Sequence, residues 1–248
     1  MPFYQKQTIY ARVLVTLVIL IAPALANAEQ TERLTMGDDT LEIRWIKTES
    51  FDDESWQERW VVESQGPRVY AEAGELKVRL VDDNRKMGGV TVWLRDELPD
   101  DVVIRVLAST DERVDNNACN LNFFVHAREQ DGAPLEFNRD GDYKSYHDIP
   151  NYLFTLTGGI TPGWSRARLD PGFELISDCQ DIRSEPGKAY AFLIVIEGKR
   201  VRYYLDGELV HDYEVASPLK GGWFGLRTWF SQVNYEEISI GQLIGERG

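Results

Sequence analysis

The sequence is poor in cysteine, histidine, methionine and positive charge. Its 248 residues include 2 Cys, 3 His and 3 Met, and 27 Lys and Arg stand against 41 Asp and Glu, a formal charge of −14. No CxxC pair and no His/Cys cluster occurs, which excludes a structural zinc site of the usual spacing. The shortage of clustered Lys and Arg excludes nucleic acid and anionic membranes as partners, since polyphosphate surfaces are held by such clusters. Internal repeats, low-complexity tracts and Pro/Ser-rich linkers are lacking too. Only one run is strongly apolar, VLVTLVILIA (13–22), and it is short for a membrane span.

That run follows Lys6 and Arg12 and precedes the small residues of ANA (26–28). This is the pattern of a secretory signal peptide over residues 1–28, with an uncleaved N-terminal anchor as the alternative. The expected locations are the periplasm or the medium, with no membrane contact after cleavage. Removing Lys6 and Arg12 leaves 25 − 41 = −16 on residues 29–248, a length suited to a single domain with its own core. In an oxidising compartment Cys119 and Cys179 are expected to form a disulfide, two buried thiols being the alternative.

Short β-rich runs dominate the rest. ELKVRLV (75–81), GVTVWL (89–94) and DVVIRVLAS (101–109) are strands, and residues 190–215 read as consecutive hairpins turning at Glu197-Gly198-Lys199 and at Asp206-Gly207. Asp-Gly between alternating strands is the strongest short hairpin signal. Residues 222–230 and 235–243 supply the closing strands. Strands this frequent, with little helical periodicity, predict an all-β fold, an antiparallel two-sheet jelly-roll sandwich. Short helices are expected near 111–118 and 180–187. Residues 130–188, rich in Gly, Pro, Asp and aromatics, read as a long loop lying over a site.

Residues 120–129, NLNFFVHARE, place Asn120, Asn122, His126 and Arg128 on one face of a strand by simple alternation, with Leu121, Phe123, Val125 and Ala127 on the other. The same parity sets Phe224, Leu226 and Phe230 inward, and Arg227 and Trp229 outward.

Several segments resemble the concanavalin A-like lectin/glucanase superfamily: SFDDESWQERWVVE (50–63), IVIEGKRVRYYLDGELV (194–210) and GWFGLRTWFSQVNYEEISIGQL (222–243). NLNFFVHARE, GDYKSYHDIPNYLFTLTGG (141–159) and GWSRARLDPGFELISD (163–178) are similar, more narrowly, to its YesU-type branch. The resemblance covers roughly residues 45–243. It implies a jelly roll whose concave face binds sugar, and a setting of polysaccharide degradation that includes pectic rhamnogalacturonan.

The Glu-x-Asp-x-Glu strand motif of the glucanases is absent, which disfavours retaining hydrolysis by paired carboxylates. β-Elimination on a uronic-acid glycan fits the residue types better. Amides and Arg can stabilise the developing enolate, and His or Tyr can move the protons. The expected catalytic groups are His126, Tyr146, His147 and Arg168. Asn120, Asn122, Arg128, Tyr143, Tyr152, Trp164, Arg166, Arg227 and Trp229 are the expected substrate contacts. The alternatives are a non-catalytic lectin-like binder, a hydrolase with loop-borne carboxylates, or a partner-binding sandwich. No cofactor is expected. Asp52, Asp53 and Asp206 are candidate ligands for a structural Ca²⁺, with turn and capping roles as the competing reading.

Overall fold

A computed structural model describes residues 30–36, 39–80, 88–111 and 118–244. The expected signal peptide and the expected helix near 111–118 fall outside these, apart from Asp111 and Ala118. The chain runs through β1 (Gln30–Met36), β2 (Asp39–Glu49), β3 (Trp60–Ser64), β4 (Arg68–Glu72), β5 (Glu75–Arg79) and β6 (Gly89–Leu94). It continues with β7 (Val102–Thr110), β8 (Leu121–Ala127), β9 (Asn151–Thr157), β10 (Trp164–Asp170) and β11 (Glu174–Cys179). Last come β12 (Ala189–Glu197), β13 (Arg200–Leu205), β14 (Glu208–Glu214), β15 (Trp223–Trp229) and β16 (Val233–Leu243).

These strands form two antiparallel sheets. A nine-stranded sheet has the order β1-β2-β16-β7-β12-β13-β14, with β4 and β5 attached through β16. A seven-stranded sheet has the order β11-β10-β9-β8-β15-β6-β3. The two face each other across a core that includes Phe123, Phe154, Phe192, Tyr203, Phe224 and Ile240. This is the all-β sandwich that the alternating runs predict, and both hairpins of residues 190–215 turn where expected.

Each sheet also carries an apolar cluster on its outer side. On the nine-stranded sheet, Leu41, Ile43 and Trp45 of β2 pack with Val103, Leu193, Val195 and Tyr204. On the seven-stranded sheet, the 128–150 connection packs Leu135, Tyr146 and Ile149 against Trp93, Phe124 and Leu153.

The expected long loop is mostly sheet, because β9, β10 and β11 lie within it. Strand β9 (NYLFTLT) is buried at every position, and with Leu153 apolar on its outer side its alternation is confined to Phe154–Thr157, too short to announce a strand. Residues 180–187 are bends and turns rather than a helix, with Ser184 bridged to Gly158.

The expected disulfide is not formed. Cys179 pairs with Ser165, Ser165 with Leu156, and Leu156 with Leu121. Three strand spacings of about 4.8 Å each separate the β8 and β11 ends of that row, far beyond what a disulfide spans.

Candidate functional site

Strand pairing builds a floor on the outer face of the seven-stranded sheet. Arg227 on β15 pairs with Asn122 on β8, Asn122 with Thr155 on β9, and Thr155 with Arg166 on β10. Alternation puts all four side chains on one face, in a row three strand spacings long, about 14 Å. The next row outward carries Trp229, Asn120, Thr157 and Trp164. The row on the other side carries Arg168, whose side chain lies 4.2 Å from the ring centre of Phe173. Together with Tyr143 and Thr161 these residues line a hollow of about 330 Å³.

The polar floor is well fixed. Asn122 Nδ2 donates to Asn120 Oδ1 at 2.9 Å, and that oxygen also accepts from the Trp229 amide at 3.1 Å. Asn122 Oδ1 has no described partner. The Arg227 guanidinium is buried. Its Nη1 donates to Thr91 Oγ1 and to the Gly141 carbonyl at 3.0 and 2.9 Å. The same group lies 4.8 and 5.1 Å from the ring centres of Tyr143 and Tyr146. Room for it depends on Gly89, where a Cβ would meet the guanidinium and the Gly141 carbonyl. Arg166 differs, since its Nε donates to Asp178 at 3.0 Å while its guanidinium covers Trp164 at 4.3 Å.

Apart from the arginines, Tyr143 is the one titratable side chain among the described lining residues. Burial pushes its phenol up to about 12, against the pull of Arg168 and Arg227. Among the described residues no Asp, Glu or His lines the hollow.

Eight expected site residues meet here: Asn120, Asn122, Tyr143, Trp164, Arg166, Arg168, Arg227 and Trp229. The other five do not. His126 has a left-handed backbone (φ 57) where β8 and β15 slip register between Phe124 and Ala127. This bulge breaks the alternation. It turns His126 toward Tyr152 and the Pro99 carbonyl (3.1 Å), and puts Ala127 on the outer side with Trp223. Tyr152 belongs to the inner core, where its hydroxyl accepts from the Leu219 amide at 2.9 Å.

Arg128 lies past the end of β8, paired with Glu97 and set over Trp223. Tyr146 is fully buried and donates to Glu63 Oε2 at 2.8 Å. His147 stacks on Phe173 at 4.1 Å, outside the hollow's lining. Thr155, Thr157, Thr161 and Phe173 line the hollow without having been expected. The outward parity of Thr155 and Thr157 was readable only once β9 was known to be a strand.

The calcium candidates do not gather either. Asp53 accepts from the Ser55 amide and from Arg59, and Asp206 from the Ala191 amide. Among the described residues no group of three or more His, Cys, Asp or Glu is placed to hold a metal ion.

The fold is similar to that of solved galectin-like and lectin-like sandwiches. A Bacillus subtilis protein of unknown function with a galectin-like fold aligns at TM-score 0.70 and 17% identity, covering 82% of this chain and 100% of that one. The carbohydrate-binding module CBM66 from Bacillus subtilis aligns at TM-score 0.50 and 13% identity, over 71% and 91% of the two chains. The metal-free Emp46p carbohydrate recognition domain aligns at TM-score 0.57 and 12% identity, over 77% and 93%. No curated protein matches the sequence. Residues 85–238 match the family model described as Domain of unknown function (DUF6250), and the chain belongs to that family.

Proposed function

We propose that this is an exported carbohydrate-binding protein that holds a segment of a polysaccharide or oligosaccharide in the hollow on its seven-stranded sheet. The floor itself carries the reading. Two half-exposed tryptophans, Trp164 and Trp229, sit in one row with Asn120 and Thr157, beside a second row of Asn122, Thr155 and two arginines. Aromatic faces stack on the apolar C–H faces of a sugar, while amides and hydroxyls meet its hydroxyl groups. The carbohydrate-binding module and the carbohydrate recognition domain of similar fold support this reading. Kinship with the YesU-type branch belongs to the same proposal.

Binding without chemistry is favoured over cleavage. A lyase acting on a uronic-acid chain needs a base, and a phenol held near 12 stays protonated at neutral pH and offers only a donor. His126 and Tyr146 lie elsewhere, and His147 packs behind Tyr143 and Phe173 without lining the hollow. A hydrolase needs two carboxyl groups, and the described residues of the lining supply none.

The test is glycan-array binding by the purified protein, followed by calorimetry on the ligands found. Trp164→Ala and Trp229→Ala should each weaken binding roughly 3- to 10-fold. Absence of binding to every glycan, or affinity unmoved in both variants, would overturn the reading. Release of unsaturated uronate products by the wild type would restore the lyase.

A further inference from the structure

We infer that Arg168 binds the carboxylate or sulfate ester of an acidic sugar. The residue is nine-tenths buried at the hollow, its guanidinium has no described hydrogen-bond or ion-pair partner, and among the described residues the lining holds three arginines and no acid. This rests on the glycan reading above and adds the chemical class of the ligand.

A buried guanidinium is costly unless it is paired, because its hydration must be replaced. The other arginines at this site have hydrogen-bond partners within the protein, although Arg227 Nε, like Arg168 Nε, meets no acceptor. Arg166 has Asp178, and Arg227 has Thr91 and Gly141. Arg168 has the face of Phe173 alone at 4.2 Å, and its Nε is buried with no acceptor.

The nearby acids do not supply the missing charge. Asp178 is committed to Arg166 and to Gln180. Asp170, two residues along β10, accepts from the Phe173 amide at 2.7 Å and makes no ion pair. An unpaired planar fork of donors suits an oxyanion with two accessible oxygens. Arg227, whose partners Thr91 and Gly141 are neutral, adds positive charge to the same cavity within a chain of net charge −14. At physiological salt, fields are screened over about 8 Å, so an anion inside the hollow experiences mainly these arginines.

The experiment follows the arginine side-chain Nε–Hε signals of the ¹⁵N-labelled protein by NMR. The probes are D-galacturonate, its methyl ester, D-galactose and inorganic sulfate. Galacturonate, sulfate or both should shift the Arg168 signal saturably, with the ester and galactose about 10- to 100-fold weaker than galacturonate if the site takes carboxylate. A stronger response to sulfate assigns the site to sulfate esters. Arg168→Gln should remove anion binding while the remaining spectrum stays folded, and Arg168→Lys should restore part of it.

The inference is overturned if neither anion moves Arg168 at tens of millimolar. It is also overturned if glycans found on the array bind Arg168→Gln as tightly as wild type, an outcome that leaves the glycan reading intact. Anion binding by a protein that binds no glycan would instead overturn the glycan reading alone.

Discussion

The imidazole of His126 faces the phenol ring of Tyr152, centroids 6.0 Å apart, on the inner side of the seven-stranded sheet. One bulge residue accounts for this placement. Strict alternation would aim His126 into the hollow beside Asn122; the left-handed backbone at His126 sends it toward the core instead.

The burial of His126 has a pH consequence. It holds His126 down to about 4, and His211, enclosed between Ser165 and Ser177, also to about 4, from an ordinary 6.5. Both are therefore neutral in the folded protein, whereas in the unfolded chain each takes up a proton near 6.5. Between pH 6.5 and 4 the unfolded state binds more protons, so stability falls with pH by about 1.4 kcal/mol per pH unit for each histidine. Asp170 opposes this. Burial raises it to about 6 from 3.8, so in that interval the folded state holds a proton that the unfolded chain releases. Urea midpoints measured from pH 4.5 to 7 should flatten in His126→Gln and His211→Gln and steepen in Asp170→Asn. Slopes indifferent to all three substitutions would contradict these assignments.

Glu63 fastens the 128–150 connection to the sheet. Its carboxylate accepts from Trp93 Nε1 at 2.7 Å, from the Tyr146 hydroxyl at 2.8 Å and from the Arg139 amide at 2.7 Å. Glu63→Ala leaves three donors without an acceptor and should cost about 2–5 kcal/mol, with protease cutting concentrated in residues 128–150. Tyr146→Phe should cost about 1–2 kcal/mol and preserve ligand binding. A folded Tyr146→Phe protein that has lost binding would show that this hydroxyl does more than anchor.

What the sequence made legible follows from these geometries. Strands with one wet face or a turn signature, such as β5, β13 and β14, announce themselves by alternation. Strand β9 does so only weakly, because its outer Leu153 is covered by the 128–150 connection while only Thr155 and Thr157 face the hollow. At the site, Asn122, Arg227 and Trp229 were placed by parity alone, since no irregularity interrupts the pairing of Arg227 with Asn122. His126 was misplaced by the bulge. Sequence cannot separate a site role for Tyr146 from an anchoring one, because a tyrosine in an aromatic segment looks the same whether its hydroxyl meets ligand or Glu63.

The two cysteines should behave as separate thiols. Cys119 is fully buried and burial raises its thiol, whereas Cys179 is half-buried on the edge strand β11. Thiolate is the reactive form. Iodoacetamide applied to the native protein should label Cys179 well before Cys119, and the denatured protein should present both for labelling without reductant. Dithiothreitol should leave the melting temperature unchanged. A melting temperature that drops on reduction would reinstate the bridge.

Gly89 separates a steric effect on the hollow from a general loss of stability. A Cβ there would stand 2.7 Å from the Gly141 carbonyl oxygen and 3.0 Å from Arg227 Cζ, so the guanidinium and the segment carrying Gly141 would have to move. At Gly225 a Cβ would meet the Trp93 ring at 2.6 Å, among the packed side chains beneath the 128–150 connection. Overpacking of this kind costs about 1–3 kcal/mol. Both Gly89→Ala and Gly225→Ala should therefore melt earlier than wild type. At temperatures where both remain folded, Gly89→Ala should have weakened ligand binding and Gly225→Ala should have retained it. Equal binding in the two variants would mean that the position of Arg227 does not matter to whatever occupies the hollow.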